Sequence, residues 1–323
     1  MKSFKFVLML AWSAMICTTV VAQDDYPSRS IKIIVPTTPG TGQDVIARLY
    51  ADELRKIWGQ AVVVENRQGA GGTIATRAVA SAPPDGYTLL MVNSQHAISP
   101  AVYDNLPYDT VRDFSGLALV GEAPSLVVVS NDCGARTLAE FIALAKKSPG
   151  AIHYGSAGVG AATHLAGAYF ANRAGIDLAH IPYKNSSDLI SDIVTDRIQA
   201  VFVPAPFMLP QIQAGKVRAL AVTSRQASHD PVEVPSVSQA AGIPNYEFVT
   251  WFGFVASSKV PLAIREKLAR SIDSIGKNSV VLERFKQQGI VPRSVVLKDF
   301  DAYIKADIDK LAPIVLAAGV KAN

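Results

Sequence analysis

The sequence has little cysteine, little net charge and no long hydrophobic run outside its first 22 residues. Its two cysteines are Cys17 and Cys133, so removal of the first segment would leave no intramolecular disulfide. The 31 basic and 27 acidic residues nearly cancel and form no basic block, which argues against nucleic acid as a partner. With 323 residues, 49% of them hydrophobic, the chain is long enough for two α/β lobes, each with its own core.

Catalytic and metal-binding motifs are also scarce. The five histidines include no HExxH and no pair at metal-ligand spacing, and no Gly-Lys-Ser/Thr follows a glycine loop, so we predict no metal and no cofactor. Ser156 lacks the GxSxG pattern of a nucleophile elbow, because Tyr154 stands where glycine is needed. We expect His164, which follows a glycine loop, to be a structural hydrogen-bonding residue and Asp44 to be a helix cap. No catalytic residue is predicted.

The segment Met1–Ala22 has the three parts of a secretory signal peptide. It begins with Lys2 and Lys5, continues with the apolar run Phe6–Met15, and ends in small residues before an expected cut near Ala22–Gln23. The alternative is a membrane anchor, but about 20 apolar residues are needed to span a bilayer and this run is shorter. We therefore expect an exported, soluble mature chain.

Strand and helix signals alternate along the mature chain, which favours parallel sheets flanked by helices. Two of the predicted strands, Ile31–Val35 and Ile152–Gly155, are each followed by a glycine-containing loop and an amphipathic helix. Other predicted strands are Ala61–Glu65, Tyr87–Val92, Ser125–Val129, His180–Tyr183, Ile198–Val203, Val217–Thr223 and Thr250–Ala256, and Pro261 is predicted to open a C-terminal helix. We predict two lobes of similar build, with residues 23–124 and 225–323 in lobe 1 and residues 125–224 in lobe 2.

Both glycine loops have the features of an anion-binding site. A loop that opens a helix exposes unpaired backbone N–H groups at the positive end of the helix dipole. The glycines and hydroxyl residues that would face a ligand are Gly40, Gly42, Thr38 and Thr41 in the first loop and Gly158, Gly160, Ser156 and Thr163 in the second. If the lobes face each other, the loops could hold a small carboxylate between them without an arginine. The alternative is that the glycines serve only tight turns and close packing.

Several short motifs occur together in the order and spacing of one known family. They are Ile33-Ile34-Val35-Pro36, Val64-Glu65-Asn66-Arg67 with Gly69-Ala70-Gly71-Gly72, Asp85-Gly86-Tyr87-Thr88-Leu89-Leu90, Pro107-Tyr108-Asp109 with Asp113-Phe114, Gly158-Val159-Gly160 with Thr163-His164-Leu165-Ala166-Gly167, His180-Ile181-Pro182-Tyr183-Lys184, and Gly215-Lys216-Val217-Arg218-Ala219-Leu220-Ala221-Val222. Each motif alone is weak, but the combination is specific. Over nearly all of the mature chain, the sequence resembles the Bug-type (Bordetella uptake gene) periplasmic solute-binding proteins of the tripartite tricarboxylate transporter class.

The resemblance implies an α/β protein of two Rossmann-like lobes with a ligand cleft between them, the type II periplasmic binding protein architecture. The two glycine loops would act as pincers that hold a carboxylate through backbone N–H groups, hydroxyls and waters. Asn93 and Ser94 would lie in the cleft wall, with Asp192 near the cleft. The candidate ligand-binding residues are Thr37, Thr38, Gly40, Thr41, Gly42, Asn93, Ser94, Ser156, Ala157, Gly158, Gly160, Ala161, Thr163 and Asp192.

The sequence departs from the family pattern at several positions. Thr37 stands where phenylalanine is usual, Thr41 stands in a usual Pro-Gly-Gly, and Asn185 replaces a glycine. Val203-Pro204 replaces a more polar pair. The pincers survive these changes as a type of site, but the identity of the ligand does not follow from them.

The expected function is that of a periplasmic receptor, not an enzyme, which closes its lobes on a small organic carboxylate. Its expected partners are this ligand and the large and small membrane subunits of a tripartite tricarboxylate transporter, and we expect a monomer. Two alternatives stay open: a secreted hydrolase that uses Ser156 or His164, and a sensory ligand-presenting protein without a cognate transporter. The sequence does not choose among dicarboxylates, amino acids and aromatic acids.

Overall fold

The computed structural model describes residues 26–228 and 232–320, so the predicted signal peptide lies outside the described residues. The strands are β1 (Ile31–Val35), β2 (Val62–Asn66), β3 (Thr88–Asn93), β4 (Phe114–Ser130), β5 (His153–Ser156), β6 (Ala179–Pro182), β7 (Ala200–Pro204), β8 (Val217–Val222), β9 (Val249–Ser257) and β10 (Val291–Val296). The helices are α1 (Gly42–Trp58), α2 (Thr73–Ala80), α3 (Gln95–Val102), α4 (Leu138–Lys147), α5 (Ala162–Ala174), α6 (Ser186–Val194), α7 (Ala205–Gln213), α8 (Val237–Ala241), α9 (Leu262–Ile275), α10 (Ser279–Gln287) and α11 (Lys298–Ala317).

A single long strand, β4, belongs to both sheets of the molecule. Its first part, Phe114–Pro124, pairs with β9, and its second part, Ser125–Val129, pairs with β7. Strands β10 and β8 pair along the other edge of β4, one in each sheet. The first sheet therefore has the order β2-β1-β3-β9-β4-β10, and the second has the order β6-β5-β7-β4-β8.

The strand directions place the two glycine loops at facing edges of the sheets. Strands β1 to β3 are parallel to one another, and so are β5 to β7. Because β9 is antiparallel to both β3 and β4, the carboxyl ends of β1 and β3 point toward the second sheet. Because β7 is antiparallel to β4, the carboxyl ends of β5 to β7 point toward the first sheet. Ligands of open α/β sheets bind at such carboxyl ends.

The predicted α/β class is confirmed, but the prediction of parallel sheets was wrong around β4, where every paired strand is antiparallel. Only the last part of β4 was predicted, as Ser125–Val129, and β10, α3 and α8 were not predicted. Gly116 and Gly121 weaken the strand signal of β4. They are needed there because Phe300 and Phe285 pack against the bare backbone at these positions.

The prediction that Pro261 opens the C-terminal helix was wrong by one residue, because Pro261 is the N-cap and α9 begins at Leu262.

Helix α11 packs against both sheets. Phe300 and Ile304 in its first half lie in a core cluster with residues of the first sheet, whereas Leu311 and Ile314 lie in the cluster of the second sheet. Residues 237–248 contribute Val237, Ile243, Tyr246 and Phe248 to the same second cluster, and α3 adds Ile98 and Val102.

The predicted lobe bounds, 23–124 with 225–323 and 125–224, stay a prediction.

Gly167 lets α5 approach β5 closely, which sets the position of the loop between them. A Cβ at this position would overlap the Tyr154 ring. We expect Gly167→Ala to lower the free energy of unfolding by about 1–3 kcal/mol through overpacking, as measured by urea denaturation.

The control for Gly167→Ala is Gly42→Ala, which is also in a helix but has no atom within 4 Å of the added Cβ. Its expected effect is a gain of about 0.4–1 kcal/mol, because alanine reduces the conformational freedom of the unfolded chain. Equal effects of the two substitutions would contradict the proposed close packing of α5 on β5.

Candidate ligand-binding site

The Asp44 carboxylate, in the first turn of α1, accepts a hydrogen bond from the first glycine loop, which lies between β1 and α1. Asp44 is 2% exposed, and its Oδ2 accepts hydrogen bonds from the Gly40 N–H at 2.9 Å and Arg48 Nε at 3.0 Å. Its Oδ1 accepts a hydrogen bond from Asn66 Nδ2 at 2.8 Å. Burial favours the protonated acid, but these hydrogen bonds outweigh it and hold the pKa of Asp44 below its usual value. The predicted cap role was wrong in detail, because Thr41 is the N-cap and accepts from the Asp44 N–H.

The threonines of the first loop bond to one another. The Thr37 and Thr41 hydroxyl oxygens are 2.7 Å apart, and the Thr41 hydroxyl donates to the Thr38 carbonyl at 3.0 Å. Asn66 Nδ2 also donates to the Thr37 carbonyl at 3.0 Å. Gly40 has a φ of +84°, which glycine adopts without strain. The residues Thr37, Thr38, Gly40, Thr41 and Gly42 therefore lie together in one ordered loop at the carboxyl end of β1.

The two predicted wall residues, Asn93 and Ser94, use their side chains inside the first lobe. Asn93 Nδ2 donates to Gln43 Oε1 at 3.0 Å, and the buried Gln43 donates to the Met91 carbonyl at 2.8 Å. Ser94 is buried, and its Oγ accepts the Trp251 N–H at 2.9 Å. Asn93 is half-buried at the end of β3, on the same edge of the sheet as the first loop. Contact of either residue with a ligand stays a prediction.

The second glycine loop, between β5 and α5, is built from backbone donors and buried side chains. Ser156 is 0% exposed, and its Oγ accepts the Gly158 N–H at 3.1 Å. The Ala157 N–H donates to Thr163 Oγ1 at 3.0 Å, and the Gly160 N–H donates to His164 Nδ1 at 3.1 Å. The predicted residues Ser156, Ala157, Gly158, Gly160, Ala161 and Thr163 are thus brought together, from the last residue of β5 through the loop to the first turn of α5.

The helix after the second loop has an open N-terminus. Ala161 is the N-cap of α5, no side chain caps its first turn, and no acidic residue lies in that turn. The N-terminus of α1, in contrast, has the Thr41 cap and the Asp44 carboxylate. Unpaired N–H groups and the positive dipole end attract an anion. Of the two loops, the second is therefore the one whose helix can accept an external carboxylate.

A cavity of about 170 Å³ adjoins the second loop. Its lining residues come from the carboxyl ends of β5, β6 and β7 and the helices that follow, and they are Ala157, Thr163, Tyr183, Lys184, Asn185, Leu189, Val203, Pro204 and Phe207. Sequence analysis assigned only Ala157 and Thr163 among them to the site. The signal that could have found the rest is their position directly after predicted strands, at the sheet edge where the second loop lies.

Asp192 does not line this cavity but is hydrogen-bonded to Tyr183, which does. Its Oδ2 accepts the Tyr183 hydroxyl at 2.8 Å, and its Oδ1 pairs with Arg197 Nη1 at 3.3 Å. Burial, together with Asp192, raises the pKa of Tyr183. Asp192 therefore orients a cavity residue, and its predicted ligand contact stays a prediction.

A larger cleft of about 750 Å³ lies beside β10 and the loop after β8. Its carboxylates are already matched by cations, Glu122 with Arg293 at 3.1 Å and Glu247 with Arg225 at 3.0 Å. Neither glycine loop lines it. We therefore take the cavity beside the second loop as the candidate ligand-binding site.

Ser156, named as a nucleophile in the hydrolase alternative, pairs with His180 instead of His164. Ser156 Oγ and His180 Nε2 are 2.6 Å apart, whereas His164 Nδ1 accepts from the Gly160 backbone. Among residues 26–228 and 232–320, no cluster of histidine, cysteine and acidic residues could hold a metal ion. None of the described helices is long and apolar enough to cross a membrane.

The Asp44 network predicts a pH-dependent contribution to stability. Asp44→Asn places an amide where a charged acceptor meets three donors, so we expect the free energy of unfolding at pH 7 to fall by about 1–3 kcal/mol. Because the folded pKa of Asp44 is lowered, this stabilisation is present above its unfolded pKa of about 3.9 and is lost as the pH falls through the folded value. Urea denaturation at pH 7 and at acid pH measures the difference.

The exposed Asp52 on the same helix provides the control for Asp44→Asn. Asp52→Asn should change the free energy of unfolding by less than about 0.5 kcal/mol at pH 7. If Asp44→Asn is equally mild, the first loop does not depend on this carboxylate.

The comparisons with known proteins agree with this geometry. A family model described as "Tripartite tricarboxylate transporter family receptor" (TctC) matches residues 46–320. The structure of the periplasmic binding protein BugD is 31% identical, with a TM-score of 0.73 over 92% of this chain and 100% of BugD. The R. palustris protein Rpa4515, solved with adipate, is 29% identical, with a TM-score of 0.75 over 91% and 98% of the two chains. MatC from Rhodopseudomonas palustris, solved with bound malate, is 25% identical, with a TM-score of 0.70 over 90% and 100%.

These matches confirm the predicted two-lobed architecture of periplasmic binding proteins and the resemblance drawn from the sequence motifs. The family consists of substrate-binding receptors. Since the family model covers most of the chain, the protein belongs to the tripartite tricarboxylate transporter receptor family of periplasmic solute-binding proteins.

Proposed function

We propose that this protein captures a small organic carboxylate in the periplasm at the open N-terminus of α5. The observation that carries the proposal is the uncapped first turn of α5 beside a cavity of about 170 Å³. The helix dipole contributes about 0.3–2 kcal/mol to binding an anion, and each hydrogen bond to a charged group contributes about 1.5–3 kcal/mol. A few backbone donors therefore bind a carboxylate without an arginine. Two structural neighbours carry dicarboxylates, adipate and malate.

The cavity provides for the rest of the ligand. Leu189, Val203 and Phe207 line it with apolar surface for a short carbon chain. Lys184 lines it as well and has no ion-pair or hydrogen-bond partner within the described part of the chain. A cation in the lining of an otherwise apolar cavity favours a ligand with a second carboxylate. Specificity would thus come from this cavity, because the N–H groups at the start of α5 recognise only a carboxylate group.

Closure of the two lobes would complete the site. Val159 at the tip of the second loop is 65% exposed, and contact with the facing first loop would bury it. The Asp44 carboxylate is paired with the Arg48 cation and accepts a hydrogen bond from Asn66, so the first loop can approach a bound anion with limited repulsion. The residues Thr37 to Gly42 would then cover the ligand. Hinge closure of this kind is common among periplasmic binding proteins.

The bound ligand would be delivered to the large and small membrane subunits of a tripartite tricarboxylate transporter. The family assignment supports this partner class, and the protein would act as a monomer. We do not propose hydrolysis, because Ser156 is 0% exposed and its hydroxyl is also held by Gly158. A sensory role would use the same site, and a binding assay with candidate membrane subunits separates it from transport.

The first test is a thermal-shift screen of residues 23–323, unfolded and refolded beforehand to remove co-purified ligand. The panel contains C3–C6 dicarboxylates, citrate, acidic amino acids and aromatic acids. A ligand at 100 times its dissociation constant adds about 2.7 kcal/mol, which raises Tm by roughly 5 °C in a chain of this size. We expect a shift with dicarboxylates. A flat response across the panel would reject the carboxylate assignment.

A second test places a competing carboxylate in the site. Ala161→Asp supplies the missing N-cap of α5, so we expect the free energy of unfolding to rise by about 0.5–2 kcal/mol. The same side chain occupies the N–H groups and repels the ligand, so affinity for adipate should fall at least tenfold. Calorimetric titration and urea denaturation measure the two opposite effects.

Leu262→Asp is the matched control for Ala161→Asp. It adds the same charge at the start of α9, whose N-cap Pro261 likewise provides no side-chain hydrogen bond. Adipate affinity should stay within about twofold of the wild type. If both variants lose affinity equally, net charge and not the α5 terminus controls binding.

A further inference from the structure

Two histidine rings are stacked face to face beside the second loop. The ring centroids of His164 and His180 are 3.8 Å apart, and their planes differ by 15°. His164 lies in the first turn of α5 and is 4% exposed, and the half-buried His180 lies on β6. The Tyr154 ring of β5 lies 5.0 Å from His180 and 6.3 Å from His164. Three neighbouring elements thus contribute one ring each to a single stack.

Each imidazole holds one glycine of the ligand-binding loop. His164 Nδ1 accepts the Gly160 N–H at 3.1 Å. His180 Nε2 lies 2.6 Å from Ser156 Oγ, which itself accepts the Gly158 N–H at 3.1 Å. Gly158 and Gly160 have φ values of +118° and +80°, so the loop follows a path that only glycine adopts readily. The loop conformation therefore depends on nitrogen atoms that lie outside the loop itself.

The His164 contact requires a neutral ring, whereas His180 Nε2 can donate to or accept from Ser156, because the Ser156 hydroxyl can also donate to the Gly158 carbonyl at 3.1 Å. An imidazole nitrogen accepts a hydrogen bond only when it carries no proton, and protonation of His164 Nδ1 would turn it into a donor facing the Gly160 N–H. Burial, with a smaller contribution from His180, lowers the pKa of His164 to about 4, and burial lowers that of His180. The stack is therefore neutral at pH 7.

No carboxylate within the described part of the chain hydrogen-bonds or pairs with either ring. Tyr154 of β5 and Ser156, the last residue of β5, face the two histidine rings. The apolar Phe202 of β7 packs against Tyr154. The charged groups near Tyr169, further along α5, are Arg173 of α5 at 5.6 Å and Lys310 of α11 at 5.7 Å from its ring. Val320, after α11, lies against Gly160. Tyr183 and Lys184 follow His180 in the cavity wall.

We propose that His164 and His180 are positioning residues that hold the ligand-binding loop in its competent conformation, His164 as a neutral acceptor, and that protonation of His164 releases the loop. The expected effect on ligand affinity rests on the proposed function, whereas the positioning of the loop by the histidines does not. The consequence is a receptor that binds its carboxylate more weakly as the surroundings become acidic, beyond the effect of protonating the ligand itself. Folded-state stability should fall with it, because stability from a buried neutral histidine is present above pH 6.5 and is lost toward pH 4.

Substitutions that keep or remove the accepting atom test the positioning role. In His164→Asn the amide oxygen can replace Nδ1, and in His180→Gln the amide can replace Nε2 as donor or acceptor, whereas leucine at either position provides no polar atom. We expect His164→Leu to lower adipate affinity at pH 7 by about tenfold, the loss of one hydrogen bond. His164→Asn should restore most of that loss and should remove the acid sensitivity of binding that His164 causes. Equal affinities of the leucine variant and the wild type would overturn the proposal.

A ligand-free measurement separates this proposal from the proposed function. In the ¹⁵N-labelled chain, the Gly160 amide resonance should move with the titration of the His164 ring between pH 7.5 and 4, and should stay unchanged over that titration in His164→Asn. The positioning role is wrong if the Gly160 amide resonance does not move as the His164 ring is protonated. It is also wrong if adipate binds the wild type more tightly as the rings are protonated. If adipate fails to bind any variant, the ligand class is wrong, and the amide titration still decides the role of the histidines.

Discussion

The geometry of the whole protein depends on β4, one strand whose backbone hydrogen bonds belong to two sheets. Its first part is held between β9 and β10, and its second part between β7 and β8. Because one continuous strand joins the sheets, the direction of every other strand relative to it is determined. That constraint directs the carboxyl ends of β1 and β3 toward those of β5 and β7. The two glycine loops face each other for this reason and not because of any property of their own residues.

The two loops share a sequence pattern but differ in chemistry. In the first loop, the Asp44 carboxylate accepts the hydrogen bond of the Gly40 N–H, and Arg48 balances the carboxylate charge. In the second, no carboxylate serves the helix terminus, and the loop is held by neutral acceptors, His164 and Ser156. The N-terminus of α1 therefore has a carboxylate from its own first turn, whereas the first turn of α5 has none. A pair of identical open loops would bring two positive helix ends together in the absence of ligand, which repulsion would oppose.

The secondary structure could be predicted where the local signal was strong. The capping box at Thr137 and Glu140 lies at the start of α4, and Gly175 ends α5 in the left-handed conformation, both as the sequence indicated. Prediction failed at Gly116 and Gly121, where strand propensity is low. Distant aromatic rings from α10 and α11 make glycine necessary there. Local propensity carries no information about a ring that arrives from more than 160 residues away, so this part of β4 could not be found.

The sequence by itself determined the family, the two loops and the residues at each strand-to-helix junction, because glycine, threonine and strand patterning are local properties. Only the tertiary structure decided how the first loop is held, since Asp44 meets Asn66 across 22 residues. It also decided that Ser156 pairs with His180, 24 residues away, and that Tyr183, Lys184 and Phe207 share a cavity with Thr163. Strand order brings these residues together, and strand order is set by packing over the whole chain, which no local pattern specifies.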